Sequence, residues 1–290
     1  MTGSEVIGGR WNIFLGNNAG LNSLSPVRNI FIGYDAGRSN VSGQYNLYVG
    51  DHAGSFGTGT FNTVIGGLAF STNDFGNSNV ALGYVAGSKM VSSNNVVIGA
   101  GAGYANSGII GGNVFIGYYA GEELSTQDNR LAISSNRSGA PLIYGEFDNK
   151  RVAINSINSN GYTFWVNGTA GGVGSWNETS DMRLKTNILS IGSALDKVLQ
   201  LKGVRFNWID QMTYDNKTHI GFIAQDVEKV IPEVVNKTND QYSMQYAPIT
   251  ALLVEGMKEQ QNQIESLKSE IEELKKLCSK LAEQISKNEP

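Results

Sequence analysis

The sequence has a single cysteine, Cys278, so no internal disulfide can form and there is no disulfide framework to read. Nor does it contain a run of 18 apolar residues, which leaves no helix able to cross a membrane. The opening residues, MTGSEVIGGRW, have no basic stretch followed by an apolar one, so no secretory signal is read and synthesis in a cytoplasm is expected. Charge is scarce and unevenly placed. Positions 1–179 hold 8 basic and 10 acidic residues, and positions 180–290 hold 14 and 16. Neither part has the basic excess of a polyanion-binding surface, so nucleic acid is not expected as a partner.

What the first part has instead is glycine. Of 36 glycines, 32 precede position 180, and those from there on are Gly192, Gly203, Gly221 and Gly256. They belong to a repeat: NIFLGNNAG from Asn12, NIFIGYDAG from Asn29, NLYVGDHAG from Asn46, NTVIGGLAF from Asn62, NVALGYVAG from Asn79, NVVIGAGAG from Asn95 and NVFIGYYAG from Asn113. The leading asparagines are 17, 17, 16, 17, 16 and 18 residues apart, and an imperfect NRLAIS follows at Asn129. Each apolar triplet between Asn and Gly reads as a short strand ended by glycine. Its first and third residues share one face and its middle residue takes the other. Both faces are apolar, so both are expected to be covered. The recurrent alanine (Ala19, Ala36, Ala53, Ala69, Ala86, Ala102, Ala120) marks a tight spot in every turn.

These features predict a β-solenoid or β-prism with one layer per repeat, whose second face is covered by two further copies of the chain. The repeats resemble the head repeats of trimeric autotransporter adhesins and the β-structured shafts of phage fibres. Within them, VVIGAGAG at Val96–Gly103 imitates a dinucleotide-binding glycine loop. Its glycines fall on the repeat register, Tyr104 stands where the last glycine is needed, and no helical pattern follows. No nucleotide or other cofactor is expected, and no metal.

After the repeats, short strand patterns such as PLIYGEFDNKRVAIN and TFWVNGTAGGVGSW run from Pro141 to Trp176. They resemble the connector that precedes the terminal domain of phage tail proteins. At Ser180 the text changes to SDMRLKTNI, followed by ALDKVLQLKGVRFNW, HIGFIAQDVEKVIPEVV and YAPITALLVEGMKEQ. These motifs resemble the C-terminal intramolecular chaperone auto-processing domain of endosialidases and other phage tail spikes, also found in myelin regulatory factor. The resemblance implies a cut between Thr179 and Ser180, with Ser180 as nucleophile and Lys185 as its general base. It also matches His219 to a family histidine that assists cleavage or serves structure, and Gln225 and Glu228 to structural positions. Asp181 reads as an orienting residue or a cap.

The chemistry is sound in itself. A serine hydroxyl needs a base to take its proton, and lysine, with a reference pKa near 10.4, becomes one when desolvated. An extended chain sets Ser180 and Lys185 about 17 Å apart at roughly 3.4 Å per residue, and a helix sets them on different faces. Two routes remain, a tight bend through Met182–Leu184 or a lysine supplied by an adjacent chain.

From Tyr246 on, Met257, Gln260, Ile264, Leu267, Ile271, Leu274, Cys278, Leu281 and Ile285 alternate by three and four, as in a coiled coil. The a and d residues alone favour two strands, and the fibre context favours three. Cys278 lies on this seam as packing, and His52 reads as a surface residue.

The expected organisation is a repeat shaft at 1–121, a β connector at 122–179, an α+β chaperone domain at 180–248 and a coiled-coil helix at 249–290. The expected molecule is a homotrimeric fibre on a virion tail or cell surface, able to bind a cell-surface receptor or glycan. A non-cleaving adhesin, a glycan-cleaving tailspike and a regulatory protein freed from a membrane are the alternatives. Asp35, Asp51 and Asp74 appear singly, against the paired carboxylates that glycosidases use.

Overall fold

A computed structural model describes residues 9–72, 76–104, 111–124, 127–137, 139–173, 178–210, 215–238 and 241–287. Asp74 and Trp176 lie outside the described residues, as does the side chain of Ile285. The chain divides into two compact units, 1–171 and 172–290.

In the first unit every predicted triplet is a strand: β1 Ile13–Leu15, β2 Ile30–Ile32, β3 Leu47–Val49, β4 Thr63–Ile65, β5 Val80–Leu82, β6 Val96–Ile98 and β7 Val114–Ile116. The imperfect repeat supplies β8, Arg130–Ile133. All eight pair in parallel with their sequence neighbours, triplet against triplet, as Ile30↔Leu47, Phe31↔Tyr48 and Ile32↔Val49 illustrate. The sheet then continues through β9 Ile143–Glu146 and β10 Arg151–Ile154 as an antiparallel meander, and β11 Phe164–Val166 joins β10 in parallel.

The register is held from inside. The side-chain oxygen of Asn29 accepts the backbone N–H of Asn46 at 2.8 Å, that of Asn46 accepts Asn62 at 2.9 Å, and Asn62 accepts Asn79 at 2.9 Å. The same bond joins Asn12 to Asn29, Asn79 to Asn95, Asn95 to Asn113 and Asn113 to Arg130. Several of the amide groups also donate to loop carbonyls, Asn29 to Gly43 and Asn46 to Gly59 among them. From Asn29 to Asn113 these asparagines are buried, and a buried amide without partners would cost about 1–3 kcal/mol. Glycine follows each of β1 to β7 because the layers touch there. Gly33 has φ +136°, and a Cβ on it would collide with the carbonyl of Gly50 in the next layer.

The middle residue of each triplet fills the core. Phe31, Tyr48, Val64, Val97 and Phe115 are fully buried, as are the recurrent alanines. Phe14, Phe31 and Tyr48 stack ring on ring at 5.0 and 4.8 Å. One layer departs from this plan. Its middle residue is Ala81, and Phe70, at the position where the other repeats place glycine, is fully buried. Gly20, Gly37, Gly54 and Gly121 pack on their own repeat's ring, as Gly37 does on Phe31, whereas Gly87 meets the ring of Phe70. One aromatic has moved from the strand to the preceding turn, conserving volume.

The outer face of the triplets behaves differently. Its residues are half-exposed in the single chain, with Ile13 56% and Leu15 65% accessible in the first layer. Of the two faces expected to be covered, one is covered by the chain itself.

In the second unit, α1 Ala194–Gln200 packs on the start of α3 Ile249–Lys287. Around them lie two hairpins, β12 Val204–Phe206 with β13 His219–Gly221 and β14 Val235–Thr238 with β15 Gln241–Met244, and the short α2 Ala224–Val227. The core is small: Ala194, Val227, Ile231, Val234, Ile249 and Leu252. The 39-residue α3 continues beyond it without interruption, and its seam, from Met257 through Ile264, Leu267, Ile271, Leu274 and Leu281, is exposed. Cys278 is free and exposed on the same helix. Among the described residues no helix is long and apolar enough to cross a membrane.

The moved aromatic yields a test. Phe70→Gly should cost about 3 kcal/mol or more through the cavity it leaves. Adding Ala81→Phe should recover at least half of that loss, read as the midpoint of thermal unfolding. A double variant no more stable than the single one would show that the two positions do not share a volume.

Candidate processing site

The candidate site lies in the six residues from Ser180 to Lys185. Met182–Leu184 form one turn of 3₁₀ helix with Asp181 as its N-cap. The Asp181 carboxylate accepts the backbone N–H of Arg183 at 2.9 Å, and the Leu184 and Lys185 amides donate to the Asp181 and Met182 carbonyls at 3.1 Å each. The turn reverses the chain so that Lys185 Nζ donates to Ser180 Oγ at 2.7 Å. Of the two routes open to the sequence, the structure has the bend within one chain. Thr179, Ser180 and Lys185 are all exposed in the single chain.

The Arg183 guanidinium folds back on the cap. Its Nε lies 3.1 Å from both Asp181 carboxylate oxygens and its Nη2 lies 2.6 Å from one of them. This pairing holds the Asp181 carboxyl below the ordinary carboxylate range, first through the arginine side chain and then through the backbone N–H it accepts.

His219 stands on β13 with its Nε2 2.8 Å from Asp215 Oδ1. Its ring stacks on Phe206 with centroids 5.6 Å apart and tilts toward Trp208 at 6.1 Å. The bond to His219, followed by one from the Lys217 backbone, lowers the Asp215 pKa. The structure therefore brings Ser180 to Lys185 and His219 to Asp215, and His219 bonds to Asp215 rather than to the first pair. Gln225 and Glu228 are exposed, on and just after α2.

Sequence reasoning missed three partners. Asp215 carries no motif of its own, and its pairing with His219 arises from the β12–β13 hairpin. In the shaft, Asp35 and Asp51 do not stand alone as the sequence suggests. His52 lies between them, with Nδ1 2.8 Å from Asp51 and Nε2 3.6 Å from Asp35, because consecutive repeats bring them into adjacent layers. A histidine placed between two acids is still not the carboxylate pair of a glycosidase. Glu259 reads as a coiled-coil flank in sequence, yet its carboxylate accepts the Ala194 and Leu195 amides at 3.0 and 2.8 Å. It serves as the N-terminal cap of α1, where Ser193 makes no side-chain cap.

The segment that carries this site is similar to a known family. Residues 180–236 match the family described as "Chaperone of endosialidase". Three long tail fiber proteins Gp37 are similar over part of the chain. That of Enterobacteria phage K3 is 34% identical over 98 residues, covering 32% of this chain and 8% of the relative. Those of phages M1 and Ox2 are 33% and 32% identical over 115 residues, covering 37% of this chain and 43% of each relative. The chain thus spans less than half the length of these curated relatives.

The Glu259 cap carries a pH prediction. Its two backbone bonds lower the Glu259 pKa in the folded chain below the ordinary value of 4.5. The stabilisation is therefore fully present above that ordinary value and is lost as pH falls through the depressed one. Glu259→Gln should lower stability above pH 4.5 and converge with the unaltered protein at more acid pH, so that its acid limb is flatter, as followed by circular dichroism. An acid limb identical in both proteins would remove Glu259 from that role.

Proposed function

We propose that this chain belongs to a trimeric phage tail fibre and that its residues from Ser180 on assemble three chains and then cut themselves away at Thr179–Ser180. The observation that carries the reading is the Lys185 Nζ to Ser180 Oγ contact of 2.7 Å, inside a segment that matches the chaperones of endosialidase.

Assembly comes first. The long exposed seam of α3 associates with two copies of itself, and burial of its Ile and Leu residues drives the contact. Joined at one end, the three shafts face each other at high local concentration, and their half-exposed strand faces close layer by layer from that end.

Cleavage follows. Lys185, once deprotonated, takes the hydroxyl proton of Ser180, and Ser180 Oγ attacks the carbonyl carbon of Thr179. The Thr179–Ser180 C–N bond breaks, the Ser180 nitrogen takes the proton back from Lys185, and an ester joins Thr179 to Ser180 Oγ. Water then hydrolyses the ester, leaving a Thr179 carboxylate and a free Ser180 amino terminus. A lysine serves as base only when its charged form is disfavoured by loss of water. Both groups are open to solvent in the single chain, so packing of neighbouring chains over the turn both activates the lysine and times the cut. The freed shaft persists because its unfolding barrier is high, and it serves adhesion to a cell-surface receptor or glycan on the virion.

Mass spectrometry of the expressed chain should find two pieces, 1–179 and one beginning SDMRLK. Ser180→Ala and Lys185→Ala should each give one full-length species. An unchanged cut in either variant would reject the assignment of that residue.

Expressed alone, residues 1–179 should aggregate or misassemble. The shaft obtained by cleavage should remain trimeric by light scattering after residues 180–290 are removed. A heat-resistant trimer from residues 1–179 alone would exclude the chaperone role.

A further inference from the structure

Ser180 and Lys185 meet because a single turn of 3₁₀ helix lies between them, and that turn has unusually little to hold it. None of Met182, Arg183 and Leu184 is buried, so no hydrophobic core fixes it. A lone 3₁₀ turn with two internal amide bonds is marginal in water. The remaining contacts belong to Asp181: the cap bond from the Arg183 backbone N–H, and the fork of the Arg183 guanidinium on both carboxylate oxygens.

We infer that Asp181 is a positioning residue for the cut, and that Arg183 acts through it. The Asp181 carboxylate closes the turn by capping it, and the turn delivers Lys185 to Ser180. An exposed ion pair adds little stability by itself, and Arg183 is exposed. Its part is orientation. The planar fork holds the carboxylate in the rotamer that aims Oδ1 at the Arg183 N–H, which a lysine's single charged point would not do. Asp181 touches neither the Ser180 hydroxyl nor the lysine amine, so it does not exchange a proton with them. It determines how much of the time the two face each other. The depressed pKa of Asp181 agrees with this, since a cap that works as an anion is kept ionised.

The inference rests on the proposed self-cleavage, and the test separates the two. Full-length variants are expressed, their trimeric mass is checked by light scattering, and the first-order rate of cutting is followed by mass spectrometry. Asp181→Ala should slow cutting about tenfold, the population loss expected for a missing N-cap. Asp181→Asn and Asp181→Ser, which retain a capping oxygen, should stay within about threefold of the wild-type rate. Arg183→Leu should slow cutting about threefold alone and add nothing to Asp181→Ala, because both act through one contact. A wild-type rate in the alanine variant, or asparagine and serine variants as slow as alanine, would overturn the inference. If Asp181→Ala does not assemble, Arg183→Leu carries the test, and a wild-type rate there overturns it equally. Cutting that survives Ser180→Ala would instead refute the proposed cleavage.

Discussion

The shaft depends on one hydrogen bond repeated at every layer, from a backbone N–H to the side-chain oxygen of the asparagine one repeat earlier. It is buried from Asn29 to Asn113, where an unmade bond would leave a polar group with no water to turn to. That penalty enforces the 16–18-residue spacing, since a turn too long or too short would break the bond on both sides. It also makes each layer a template for the next. A stack built this way propagates readily and nucleates poorly, so its first layer needs a separate device to bring chains into register. The terminal unit supplies features suited to that task.

Two surfaces are incomplete in a single chain, and they are of the same kind. The outer strand residues and the seam of α3 are both rows of Ile, Leu and Val at regular spacing, and both stand half-exposed or exposed. A lone solenoid would gain nothing from an apolar outer face, and a helix of 39 residues running past a six-residue core would gain nothing from an apolar stripe. Under the proposed assembly, the same two rows on neighbouring copies would cover them. The turn that joins Ser180 to Lys185 is exposed as well in the single chain.

Most of the shaft was legible because its repeat is short and the period-two alternation within each triplet is unambiguous. What escaped was compensation between positions. Phe70 stands where the other repeats have glycine and Ala81 in mid-strand, and only the packing joins them. The asparagines gave the repeat spacing, while their role as buried acceptors depends on the parallel stacking that brings neighbours 16 to 18 residues apart together. In the terminal unit, motifs pointed to Ser180 and Lys185, but regular geometry kept the two apart, and the sequence left open whether a bend or another chain closed the gap. The bend rests on a cap, and capping geometry is a local matter of rotamer and distance that residue types alone leave undetermined. Glu259 was hidden for a similar reason, since its partners at Ala194 and Leu195 lie more than sixty residues away.

The central claim is that each chain contains a complete cutting pair, closed by its own turn, while neighbours supply only the cover. Mixed trimers test it most directly. Chains carrying Ser180→Ala and chains carrying Lys185→Ala are co-expressed with distinguishable tags, and trimers containing both are isolated. The account predicts that neither chain is cut, because a lysine from one chain does not serve the serine of another. Cleavage of the chain that retains Ser180 would contradict it.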